Sequence, residues 1–138
     1  MRNSFFGLKP SAWPWRYQPL DSQQKQIRIL SLAPHRQKLS PLAGDLLTVS
    51  LLDKPRYDAL SYAWGDVESS LALTLNGSRL HIRRNLENAL RHLRLPDEPR
   101  FLWIDALCIN QTDIGERSHQ VQLMGEIYSQ ATTVRAWI

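Results

Sequence analysis

Hydrophobic and polar positions divide the chain near residue 26. Residues 1–25 are rich in Pro and Gln, carry Trp13 and Trp15, and follow neither a helical nor a strand period. They read as an extended or disordered leader whose aromatics are available for docking. From Gln26 the pattern changes: residues 27–32 alternate like a strand, and residues 46–52 form a second, more buried apolar run. Pro34, Pro41 and Gly44 mark a loop between them, and residues 57–64 make a third extended run closed by Gly65-Asp66. Leu71, Leu73 and Leu75 then share one face, Asn76-Gly77 suits a type I′ turn, and Leu80 and Ile82 resume the face, which predicts a hairpin. Asn85 is a candidate N-cap for a helix with Leu86, Ala89, Leu90 and Leu93 on one side, ended by Pro96 and Pro99. Residues 101–105 are a continuous apolar run ending in Asp105, the pattern of a strand covered on both faces.

A polar loop leads to a predicted helix over 114–130, striped by Val121, Met124, Ile127, Tyr128 and Ala131. Asp113 and Glu116 have capping-box spacing at its start. Residues 133–138 form a last strand. The alternation of strand and helix predicts an α/β domain with a mostly parallel sheet and an inserted antiparallel hairpin. The expected organisation is a leader over 1–25 and one domain over 26–138. A last strand that ends on apolar residues leaves an open edge. Because few helices are available to cover a parallel sheet, the front part of a longer domain is expected.

Composition is ordinary for a globular domain: 138 residues, 43% hydrophobic and 22% charged. The single Cys108 excludes a disulfide framework or a Cys-cluster zinc site made within this chain. No apolar run reaches the ~18 residues that span a bilayer, so a soluble, cytoplasmic protein is expected. The net charge of +4 is uneven, with seven basic residues and one acid in residues 1–40 and ten against twelve in the rest. The basicity therefore belongs to the N-terminal stretch rather than to a patch on the folded part, which argues against a nucleic-acid partner.

The densest polar cluster runs from Asp105 through Asn110, Gln111 and Asp113 to Glu116 and Arg117. It begins at the carboxyl end of a predicted strand, where open α/β sheets bind ligands. Tyr62, Trp64, Gly65 and Asp66, at the end of another such strand, are expected to converge on the same crevice. There Asp105 would accept a ribose or other hydroxyl, Asn110, Gln111 and Arg117 would anchor polar groups, and Trp64 would offer a stacking face. The competing structural reading makes Asp113 and Glu116 helix caps, Asn110 a loop-closing amide and Trp64 core. Cys108, between Leu107 and Ile109, is either a nucleophile or core filling, the latter being usual for a lone apolar-flanked cysteine. His35, His81, His92 and His119 lack ligand spacing, so no metal is expected.

Two blocks carry a resemblance. YDALSYAWGD at 57–66 and LWIDALCINQ at 102–111 are similar to the two signature motifs of the fungal heterokaryon-incompatibility (HET) domain, and Asp113, Glu116, Arg117, Gln120, Val121, Met124, Ile127, Tyr128, Ala131, Val134 and Trp137 fall at that family's spacing. The resemblance covers roughly 26–138. It implies a fold related to the Toll/interleukin-1 receptor (TIR) domain, a flavodoxin-like three-layer α/β sandwich. It also implies a role in non-self recognition and programmed cell death, exercised through self-association or protein partners. The family's domain continues beyond residue 138, so this sequence resembles its N-terminal portion. Some TIR domains hydrolyse NAD with a glutamate on a helix past the strand aligned with 133–138. Neither Glu116 nor Glu126 matches that position, so NAD or a nucleotide enters only through this resemblance, and catalysis by this chain alone is not expected.

Overall fold

A computed structural model describes residues 17–62 and 68–137. Seven strands form one sheet in the order β5-β4-β2-β1-β6-β3-β7. In chain order these are β1 (Gln26–Leu32), β2 (Leu42–Ser50), β3 (Asp58–Tyr62), β4 (Ser69–Leu75), β5 (Ser78–Arg83), β6 (Arg100–Trp103) and β7 (Thr133–Trp137). Three helices accompany them: α1 (Arg84–Leu93), the single turn α2 (Asp105–Cys108) and α3 (Ile114–Gln130).

The domain is α/β as expected, but its sheet is mixed rather than mostly parallel. β1 runs antiparallel to both β2 and β6, and β4 to β5, whereas β2–β4, β3–β6 and β3–β7 are parallel. The cause lies in the connections. Residues 33–41 are too short a link for a helical crossover, so β1 and β2 pair as a long hairpin. Only the later strand–helix alternation yields parallel neighbours, and the strand order departs from a doubly wound parallel sheet.

β1 is the central strand of this arrangement. Ile27, Arg28, Ile29 and Leu30 are all buried, so both faces of the strand are covered. The core gathers around it: Leu32, Leu42, Leu60, Leu73, Leu75, Leu90, Leu102, Trp103 and Ile127 lie at 0–2% exposure. α1 presents the expected Leu86, Ala89, Leu90 and Leu93 to this core. It starts one residue before Asn85, with Arg83 as N-cap and no side-chain cap bond, so Asn85 is not the cap.

The hairpin turn is as expected, with Asn76 (φ 49°) and Gly77 (φ 85°) both in the left-handed region a type I′ turn requires. Its apolar face is not uniform. Leu71 pairs with His81 but Leu73 with Leu80, so β4 carries one extra residue, and this bulge turns Leu71 outward while Leu73 and Leu75 stay buried. The Gly44 region, expected as loop, is strand. Gly44 sits opposite Leu32 on one side and Leu75 on the other, and its carbonyl accepts from the Asn76 amide at 3.0 Å. A Cβ at Gly44 would lie 2.5 Å from the Ser31 carbonyl oxygen. Gly44→Ala should therefore destabilise the fold by about 1–3 kcal/mol, the usual cost of overpacking, read as a lower urea midpoint at unchanged slope.

Candidate functional site

Strand alternation puts Arg28, Leu30 and Leu32 on one face of β1, so a guanidinium shares a face with two core leucines. It can be buried there only if it is paired and most of its donors are satisfied; the two Nη groups are, while Nε has no partner among the described residues. Arg28, 2% exposed, meets Glu116 through two parallel bonds, Nη1 to Oε2 at 2.7 Å and Nη2 to Oε1 at 2.8 Å. Nη1 also donates to the Cys108 carbonyl at 3.0 Å and Nη2 to the Gln18 carbonyl at 2.6 Å. The Tyr17 ring lies over the guanidinium at 4.5 Å, and the Tyr17 hydroxyl donates to the Leu107 carbonyl at 2.8 Å. Burial pushes the Tyr17 phenol well above its ordinary pKa.

One ion pair thus ties the central strand, the α2 turn, the start of α3 and residues 17–18 together. Glu116 has a different role from the one expected of it. Asp113 caps α3, its carboxylate accepting from the Glu116 amide at 3.0 Å. The Glu116 carboxylate does not return to Asp113 but accepts from the Asn110 amide at 2.7 Å and from Arg28. The inward stripe of α3 is Glu116, Gln120, Leu123 and Ile127, whereas Val121 is 54% exposed. Of the predicted stripe, Ile127 is buried and Met124, Tyr128 and Ala131 pack against the core; only Val121 faces out, because the helix turns two polar residues inward, which a hydrophobicity pattern scores as outward.

The other expected site residues fall into two groups. Trp64, Gly65 and Asp66 lie outside the described residues. Asp105 does not end the strand but opens α2, one residue beyond Ile104. Its carboxyl is half-buried, and burial raises its pKa against the opposing bond from the Ala106 amide. Burial also raises the phenols of Tyr62 and Tyr128, and in both the Asp105 charge adds to the rise. These three groups therefore share one neighbourhood at the carboxyl ends of β3 and β6. Tyr128 in turn meets the buried Trp103 ring edge-on at 5.6 Å.

Asn110 and Gln111 close the loop instead of facing Asp105's neighbours. The Asn110 side-chain oxygen accepts from the Thr112 amide and hydroxyl, and the Gln111 amide donates to the Asp105 and Ile109 carbonyls. Exposed Arg117 donates to the Gln111 carbonyl at 3.3 Å. The polar groups expected to anchor a ligand are engaged within the loop.

Cys108 is core. It is fully buried, its sulfur accepts from the Ile104 amide at 3.4 Å, and burial pushes its thiol up to about 12, far from a thiolate at neutral pH. No group of three or more His, Cys, Asp or Glu poised for a metal occurs among the described residues. No helix among them is long and apolar enough to cross a membrane.

The fold and this junction define a mixed α/β domain in which the segment 102–117 is both structural knot and candidate crevice. The profile of the heterokaryon incompatibility protein (HET) family matches residues 57–138, which include both signature blocks. Among curated proteins, the chain is similar to heterokaryon incompatibility protein 6, OR allele, of Neurospora crassa, 39% identical over 132 residues and covering 86% of this chain. The chain belongs to the heterokaryon incompatibility family. It spans 19% of that relative's length. No solved structure matches it significantly.

Two outcomes test the junction. Arg28→Met leaves a buried carboxylate without its cation and should cost about 3–5 kcal/mol in denaturant unfolding; adding Glu116→Gln should recover part of the loss, because the stranded charge is gone. Asp105, with its folded pKa raised above the unfolded value, contributes stability that is full below the ordinary carboxyl range and is lost as pH rises through the raised value. Asp105→Asn should remove that decline and raise the melting temperature at neutral pH, with little change in acid.

Proposed function

We propose that this chain supplies the incompatibility domain of a fungal non-self recognition protein and works in the cytoplasm by protein–protein association that leads to programmed cell death. The observation that carries this reading is the family match across β3, β6, α2 and α3, the part of the sequence that supplies Glu116 to the junction with Arg28. The sheet supports an associative mechanism physically. β7 is the terminal strand in the sheet order, bonded on one side to β3 in a five-residue parallel register, and Val134 on it is 53% exposed. A strand in that position presents backbone donors and acceptors to another chain.

A second reading is hydrolysis of NAD or a nucleotide. The half-buried Asp105 carboxyl beside Tyr62 and Tyr128 favours it, since burial shifts that carboxyl toward the protonated form a general acid uses. Fusing the chain to a dimerising module in a fungal host should arrest growth, and Val134→Lys should relieve the arrest by placing a charge on the edge. Normal growth at confirmed protein levels would overturn the associative reading. Arrest accompanied by NAD loss that Asp105→Ala abolishes, with folding intact, would replace it with the enzymatic one.

A further inference from the structure

The end of the sheet opposite Asp105 carries its own concave, strongly basic site. Because β1 and β6 are antiparallel, with Leu32 opposite Arg100, the β1–β2 loop and the end of α1 meet at the amino end of β6, away from the crevice. His35, Arg36, Lys38, Arg91, Arg94 and Pro96 line a pocket of about 310 Å³ there.

Its floor is Arg94, a guanidinium 8% exposed. Arg94 donates to four backbone carbonyls of the loop, those of Pro41, Gln37, Lys38 and Ser40, at 2.9–3.1 Å. Arg91 adds bonds to the Lys38 and Ser40 carbonyls at 2.9 and 2.7 Å. These bonds fold the loop around two cations and fix the pocket's shape. They do not supply a counter-ion. Among the described residues Arg91 pairs with Glu87 and Arg36 with Asp97, whereas Arg94 and Lys38 have no carboxylate partner. Burial and the neighbouring Arg91 charge both press Arg94 toward losing its proton. The carboxyl end of α1 contributes only about half a negative charge, so the charges of Arg94 and Lys38 are not offset by a carboxylate among the described residues.

The upper donors are placed to use this field. The Gln37 amide donates to His35 Nδ1 at 3.0 Å, so a neutral His35 carries its proton on Nε2 and can donate. Lys38 and Arg36 line the same pocket and are exposed to solvent.

We propose that this pocket binds a phosphate-bearing group, with Lys38, Arg36 and His35 contacting the anion and Arg94 and Arg91 supplying the positive field beneath it. A diphosphate or a phosphorylated headgroup suits such a concave pocket, where several cations can act on one anion. The soluble or lipid origin of that phosphate is for the test to separate. Titrating sodium pyrophosphate into the full chain at matched ionic strength should give saturable binding that weakens with added salt. In the Arg36→Glu/Lys38→Glu variant it should weaken by roughly tenfold or more, the effect of about 1.4 kcal/mol. Both positions are exposed, and the surface pair Arg36–Asp97 stabilises little, so the variant should melt as the parent does.

Vesicles of phosphatidylcholine with and without phosphatidylinositol 4-phosphate form the second arm. Sedimentation of the chain only with the phosphorylated lipid, competed by pyrophosphate, assigns a headgroup. Pyrophosphate binding without sedimentation assigns a soluble ligand. Absence of saturable pyrophosphate binding, or binding unchanged in the double variant, overturns the site whatever becomes of the incompatibility reading, which neither arm measures.

Discussion

The Arg28–Glu116 pair is the constraint on which this domain is assembled. A guanidinium in the middle strand of a seven-strand sheet is tolerable only if a carboxylate and several carbonyls converge on it. That requirement dictates much of the surrounding architecture. α3 must begin where Glu116 can reach the strand, α2 must turn so that the Cys108 carbonyl points inward, and residues 17–18 must lie across the top. The compact turn that follows β6 in the sequence LWIDALCINQ is shaped by this convergence. The acid at its head, Asp105, is held beside Tyr62 and Tyr128 as a by-product of where the turn must sit.

The two ends of the sheet are thereby differentiated. At the carboxyl ends of β3 and β6, a partly desolvated carboxyl meets two phenols. At the other end, arginines take carbonyls as partners: Arg91 and Arg94 gather the β1–β2 loop, and Arg100 donates to the Leu93 carbonyl while approaching Asp58 at 3.5 Å. Asp58 also accepts from Arg135 of β7 at 2.9 Å, so the outermost strand is pinned by charge at the start of its register. An acid–phenol end and a cationic end on one small sheet leave room for two separate ligands or surfaces.

Much of the fold was legible because local rules and tertiary packing agree there. The type I′ turn at Asn76-Gly77, the apolar face of α1, the extent of α3 and the Asp113 cap all follow from short-range patterns. What the patterns missed involves polar burial or one-residue irregularities. Alternation already placed Arg28 beside two leucines, but nothing local names Glu116, 88 residues away, as its partner. Capping-box spacing offered Glu116 a nearer explanation, and the long-range pair prevailed because a buried guanidinium leaves more to satisfy than a helix end does. For Asn110 the loop-closing alternative was already open in the sequence, and the structure shows both Asn110 and Gln111 bonded within their own loop. The expected mostly parallel sheet extends the later strand–helix alternation to a first half that holds no α-helix among the described residues.

The family profile begins at Tyr57, yet β1 and β2 precede it and β1 runs through the middle of the sheet. The stretch that the profile matches therefore leaves out the strand at the centre of the sheet. Cut at Tyr57, it would retain the acid and forfeit its cation, with β6 laid bare along one flank. What Gln26–Leu32 lends to the matched stretch is a single basic side chain facing inward among greasy neighbours.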